Sequence, residues 1–208
     1  MNKKNAFKHL LLGIVLSCTF CSNALSQRAE EYYSLKMYNK EFHVEGKSYE
    51  GASTALLHPY KNVRKAWWRY IKSKAYLTNH ISHYVLKVPS KSAEEEPTYL
   101  INTIHQSDNQ TIIRIAYRDA DDVDNESLKN LLREFKTQYF STLLETQIIK
   151  QEKVSKKLGN EMDSYQTSRK IASLDSIEIK KQINAFEYQI HQSDLRLDSL
   201  KSLLGKIK

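Results

Sequence analysis

The sequence has 208 residues, a net charge of +8, two cysteines and only five glycines. A chain of this length forms one or two domains, and so few glycines argue against a glycine-rich loop that cradles phosphates. Both cysteines, Cys18 and Cys21, fall within the first 26 residues, a segment expected to be removed. Ordinary cleavage before Gln27 would then leave the mature chain without a thiol nucleophile, a disulfide or a cysteine-held metal.

That first segment has the pattern of an export signal. Lys3, Lys4 and Lys8 form a positive start, Leu10 to Leu16 an apolar stretch, and Ala24-Leu25-Ser26 a small-residue cleavage site before Gln27. The apolar stretch is shorter than the roughly 20 residues a bilayer span needs. The expected destination is the periplasm or cell envelope. A rival processing site is Val15-Leu16-Ser17-Cys18, which resembles a lipobox; membrane association is expected only if Cys18 is lipidated. The leader carries three lysines and no acid, so +8 less three leaves +5 on the mature chain. Such moderate basicity suits anionic surfaces, and nucleic acid is not an expected partner in that compartment.

Residues 27–125 are expected to form a small α+β domain, an antiparallel sheet covered by helices. Phe42 to Val44 and Ser53 to Leu57 are short strands. Val63, Ala66, Trp67, Tyr70 and Ile71 recur at three- and four-residue spacing, which predicts an amphipathic helix from Lys61 to Lys74 with Lys61, Arg64, Lys65, Arg69 and Lys72 on its basic face. Ile81 to Val88 is a predicted third antiparallel strand and Pro89 to Pro97 a solvated loop. Tyr99 to Ile104 and Thr111 to Tyr117, joined by Ser107 to Gln110, predict a β-hairpin. In its second strand Ile113, Ile115 and Tyr117 face one way and Arg114 the other, with the Trp67 helix as the cover. Asp119 to Asn125 end the sheet, with Asp124 or Asn125 as the cap of the next helix.

From Glu126 to Lys208 there is no proline, and the only glycines are Gly159 and Gly205. An unbroken helix of ~80 residues would reach ~120 Å, far beyond the small domain. Its end carries its own means of burial: Ile179, Ile183, Phe186, Ile190, Leu197, Leu200, Leu204 and Ile207 alternate by four and three, with Ser193 the one polar member. This is a coiled-coil seam, strongest over residues 179–207. Carried backwards the register gives Leu158, Met162, Tyr165 and Ala172, interrupted by Ser155, Arg169 and Ser176. Gly159-Asn160 is the expected place for a break, and a break there would fold the halves into a helical hairpin. Leu128, Leu131, Leu132, Phe135, Tyr139, Leu143 and Leu144 form a wider stripe suited to a sheet.

Candidate chemistry is sparse. His80 and His83, at odd spacing on a predicted strand, point to opposite faces and do not share a metal. The acids Asp119, Asp121, Asp122, Asp124 and Glu126 fail the EF-hand template, because Val123 and Asn130 occupy ligand positions; helix capping explains them. Asn125-Glu126-Ser127 matches a sequon that bacterial export leaves idle. Trp67 and Trp68 are turned about 100° apart on their helix, so Trp67 is expected in the core and Trp68 at its rim. There, with Arg64 and Arg69, it would mark a partner-contact surface. No catalytic grouping, cofactor or metal site is expected.

A leader, a strand before a Val-x-x-x-Trp-x-x-Tyr helix (Val63, Trp67, Tyr70), an antiparallel hairpin and a charged helical tail together resemble uncharacterised exported proteins of Bacteroidetes-type bacteria. The resemblance implies no activity for any residue. The expectation is a non-enzymatic envelope protein that self-associates or docks on another protein through its C-terminal coiled coil. The alternatives are a periplasmic holdase-type chaperone and a ligand-binding or hydrolytic head with an appended coiled coil.

Overall fold

The structure, a computed structural model, describes residues 31–90, 92, 94, 96–119, 124–172 and 177–208, with the backbone path alone for 168–172 and 177–179. The leader, Cys18, and the acids Asp121 and Asp122 lie outside these residues. The elements are β1 (Tyr38–Val44), β2 (Lys47–Leu56), α1 (Tyr60–Ile71), β3 (Tyr76–Asn79), β4 (Tyr84–Val88), β5 (Thr98–Ser107), β6 (Gln110–Tyr117), α2 (Asn125–Ala172) and α3 (Ile177–Ile207). The six strands form one antiparallel sheet in the order β1-β2-β6-β5-β4-β3, so the chain has the expected α+β class. It divides into two compact units, one ending at Phe135 and the other Lys136–Lys208.

In the first unit, α1 covers one face of the sheet. Val63, Trp67, Tyr70 and Ile71 are its buried residues, the helical stripe that the sequence shows. Trp67 is fully buried and meets Phe135 edge-on at 5.0 Å. Its indole N–H needs an acceptor in that core. Asn102 supplies one at 3.0 Å, and the same amide donates to the Arg114 carbonyl at 2.8 Å. The predicted β5–β6 hairpin is present, longer by a few residues at the turn, where Ser107 pairs with Gln110. Ile113 and Ile115 are fully buried, as their alternation requires.

Three strand expectations need correction. Phe42 to Val44 and Ser53 to Leu56 belong to two longer strands, β1 and β2, joined by the two-residue turn Glu45-Gly46, and Leu57 lies just past the end of β2. Both turn residues have positive φ, 50° and 80°, the conformation that matches the twist of a tight hairpin. Strand β3, between α1 and the third predicted strand, was not foreseen; its four residues are mostly exposed and carry no alternation. The predicted strand from Ile81 begins only at Tyr84, because residues 80–83 form a turn in which the His80 N–H donates to the His83 carbonyl at 2.9 Å.

Although β1 and β3 stand at opposite ends of the strand order, the tips of their hairpins meet. Glu45 lies 3.6 Å from the buried His83 ring and accepts a hydrogen bond from Ser82 at 3.3 Å. The sheet therefore curls around its second face, where Phe42, Val44, Ile101 and Ala116 form a small core with Tyr49 and Val85. Crowding on this concave face explains Gly51. It pairs with Ala116, and a Cβ there would stand 2.1 Å from the Ile115 carbonyl oxygen.

The second unit is a helical hairpin. Helix α2 runs through Gly159 and Asn160 without interruption, so the expected break is not there; a lone glycine costs a helix only ~1 kcal/mol. The two helices are separated instead at residues 173–176, outside the described set. Tyr165 packs on Phe186 at 5.3 Å, Gln151 and Ser155 reach Ser193, Glu152 pairs with Lys201 and Glu145 with Lys208. The pairing runs in opposite directions along α2 and α3, which makes the arms antiparallel.

The polar residues that interrupt the two seams meet one another. The Gln151 side-chain amide donates to Ser193 Oγ at 2.6 Å, and Ser155 Oγ lies 2.6 Å from the same hydroxyl. Ser193 is 6 % exposed, so its hydroxyl depends on these partners. Removing one member of such a group costs about 1 kcal/mol, whereas removing facing members together is nearly neutral. Ser193→Ala is therefore expected to lower the stability of the hairpin by about that amount, and Ser155→Ala with Ser193→Ala to recover part of it. A urea-unfolding cycle over the two single variants and the double checks this; purely additive losses would contradict it.

Candidate functional site

Helix α1 places two rows of side chains on the surface away from the sheet. Residues four apart stack one above another on a helix. Tyr60, Arg64, Trp68 and Lys72 form one such row, and Lys61, Lys65 and Arg69 the next. Together they line an open cleft of about 510 Å³ whose lining is five exposed or half-buried cations and two aromatic rings, with no carboxylate. The expected contact residues Trp68, Arg64 and Arg69 are thus brought into one site.

The geometry at its centre is specific. The Arg64 guanidinium lies 4.1 Å above the Trp68 ring and 5.8 Å from the Tyr60 ring. Trp68 in turn meets Tyr84 of β4 edge-on at 5.5 Å. The tryptophan is consequently half-buried between a strand ring and a stacked cation, an arrangement in which the ring quadrupole offsets part of the arginine charge. Arg64 Nε and Trp68 Nε1 are buried without a hydrogen-bond partner among the described residues. None of Lys61, Arg64, Lys65, Arg69 and Lys72 has a carboxylate within ion-pair distance among those residues. The C-terminal end of the helix differs: Lys74, in the turn just past it, is paired with Glu134 at 3.0 Å, and Glu134 also accepts from the Tyr70 hydroxyl at 3.0 Å. The lysine bond, then the tyrosine bond, holds the Glu134 carboxyl below its usual range, while burial and Glu134 push the Tyr70 hydroxyl up.

Tyr60 and Tyr84 were not singled out from the sequence. Tyr60 was legible, since it stands four residues before Arg64 on the same row; Tyr84 reaches the site only through the sheet. A second hollow of about 260 Å³ is mostly apolar, lined by Ile71, Leu86, Val88, Leu100, Leu128 and Leu131, with Lys74, Thr98, Tyr117 and Ser127 as its polar members.

The other candidates resolve as follows. His80 and His83 stand in a turn and stack at 4.7 Å, rather than facing apart on a strand. Burial, opposed by Glu45 and assisted by His80, lowers the His83 pKa. No group of three or more histidine, cysteine or acidic residues is placed to hold a metal among the described residues. Asp124 caps α2: the Ser127 N–H donates to its carboxylate at 3.1 Å and the Ser127 hydroxyl also bonds it. Those bonds lower the Asp124 pKa. No described helix is long and apolar enough to cross a membrane.

Along α3, Ile183, Phe186, Ile190, Leu197, Leu200 and Leu204 are half-buried and Ile207 is buried, while most positions between them are exposed. The side chain of Ile179 lies outside the described residues. In comparisons with known proteins, no family model matches the chain and no curated protein is significantly similar to it.

Proposed function

We propose that this chain is a non-enzymatic exported envelope protein that engages a second copy of itself, or another protein, through the α2–α3 hairpin. The observation that carries the reading is the state of the α3 seam. Six of its apolar members remain half-buried although α2 already lies along them. Two helices shelter a seam from one side; further helices, packed as in a coiled-coil bundle, would cover the rest. Each half-exposed leucine or isoleucine so covered contributes about 1 kcal/mol, enough in sum to hold an association. The export pattern of Lys3 to Ser26, with Cys18 as the alternative lipid anchor, and the Val63, Trp67, Tyr70 resemblance support the envelope setting.

Light scattering over a wide range of concentration tests the association. The expected result is a particle of at least two chains that reverts toward one in Ile190→Gln with Leu197→Gln, with helicity by circular dichroism retained. A single-chain mass at every concentration would remove self-association.

A further inference from the structure

The geometry points to the α1 cleft as a binding site for an extended acidic peptide segment of a partner protein. The inference stands independently of the hairpin, because the cleft lies wholly within the first unit.

Charge complementarity carries it. Five cations share one helix face without a carboxylate partner among the described residues. A solvated basic face is common, but this one is built around a recessed ring: Trp68 is fixed by Tyr84 on its edge and by Arg64 on its face. Two donors there, Arg64 Nε and Trp68 Nε1, are buried without acceptors. A buried donor without an acceptor carries a desolvation cost; both donors lie beneath the cleft surface, so the exposed cations above them are the groups that meet an occupant.

Spacing selects the occupant's shape. Cations four residues apart on a helix stand ~6 Å apart along its axis. Alternate side chains of an extended strand stand ~6.6 Å apart on one face. A segment with an acid at every second residue therefore meets Lys61, Lys65 and Arg69 in turn. The distance from Lys61 to Lys72 is ~16 Å, the length of about five extended residues. A lipid surface fits less well, because an interfacial aromatic has to project past its flanking charges into the headgroups, whereas Trp68 is recessed beneath Arg64.

The test uses the full chain and a fluorescein-labelled peptide of alternating glutamate and alanine, read by fluorescence anisotropy at low salt, with sedimentation of phosphatidylglycerol vesicles alongside. The peptide is expected to bind, more weakly as salt is raised. Lys65→Glu with Arg69→Glu should weaken it by about tenfold or more; both residues are exposed and unpaired among the described residues, so the variant should melt as the parent does. Lys153→Glu with Lys156→Glu makes the same charge change in the other unit and should leave binding as it was. Equal weakening by both pairs of substitutions would show attraction to net charge alone and overturn the site. Binding to vesicles without binding to the peptide would overturn the proposed occupant.

Discussion

Replacing Gly51 with alanine is expected to destabilise the protein by about 3 kcal/mol, at the upper end of what forced overpacking costs. The added Cβ would lie 2.1 Å from the Ile115 carbonyl oxygen and 2.8 Å from Ala116 Cβ, and neither can rotate away. Relief requires β2 to move off β6, which breaks the ladder at the centre of the sheet. It also disturbs Ala116, which is fully buried in the core of the concave face beside Phe42, Val44 and Ile101. Urea unfolding of the variant, with far-ultraviolet circular dichroism as the readout, decides the matter. A loss below about 0.5 kcal/mol, the range of ordinary surface changes, would mean that the strands do not approach so closely.

Lys136→Met is expected to do the opposite. Lys136 is 1 % exposed, with its ammonium 5.7 Å from the Phe140 ring. Burial disfavours the charged form and lowers its pKa from 10.5 to about 8. Below pH 8 the lysine is charged in both folded and unfolded chains, and the cost of burying that charge is fully present. Between about 8 and 10.5 the unfolded chain binds more protons than the folded one, so stability rises with pH. Above that window the cost has gone. Its full size is about 3 kcal/mol by the free energy of a pKa shift. Methionine fills similar space without the charge and should raise stability near pH 7 by about 2 kcal/mol, allowing for contacts the lysine loses. The gain should fade toward pH 11. Chemical denaturation of parent and variant at several values of pH measures the difference. A variant less stable at neutral pH would mean that the lysine is held by interactions stronger than its desolvation.

The same residues explain what could be read from the chain. The helix around Trp67, the β5–β6 pair and the helical course of α3 were legible because each repeats a period, near 3.6 or 2 residues, over several turns or alternations. The α1 cleft was half legible: Arg64, Trp68 and Arg69 share a helix, and local spacing places them together. Tyr84 and the closure of Glu45 on His83 depend on how the sheet curls, which no local pattern records. Strand β3 is too short and too exposed to leave an alternation. Gly159 misled because a glycine in a helix signals a break only when other residues reinforce it. The meeting of Ser155 with Ser193 was hidden because each, seen in its own helix, reads as a defect.

Those two defects act as key and lock. A hairpin whose seams were leucine throughout could slide by a whole heptad at little cost, since every layer would resemble its neighbour. Here a slip would set Ser193 level with Ile148 or Met162, and Ser155 level with Leu200 or Phe186. Two hydroxyls would then lie stranded against hydrocarbon, each at about 1–3 kcal/mol. One arrangement of the arms is thus singled out from its near copies by a few hydrogen bonds, at the expense of some tightness in the layer that holds them.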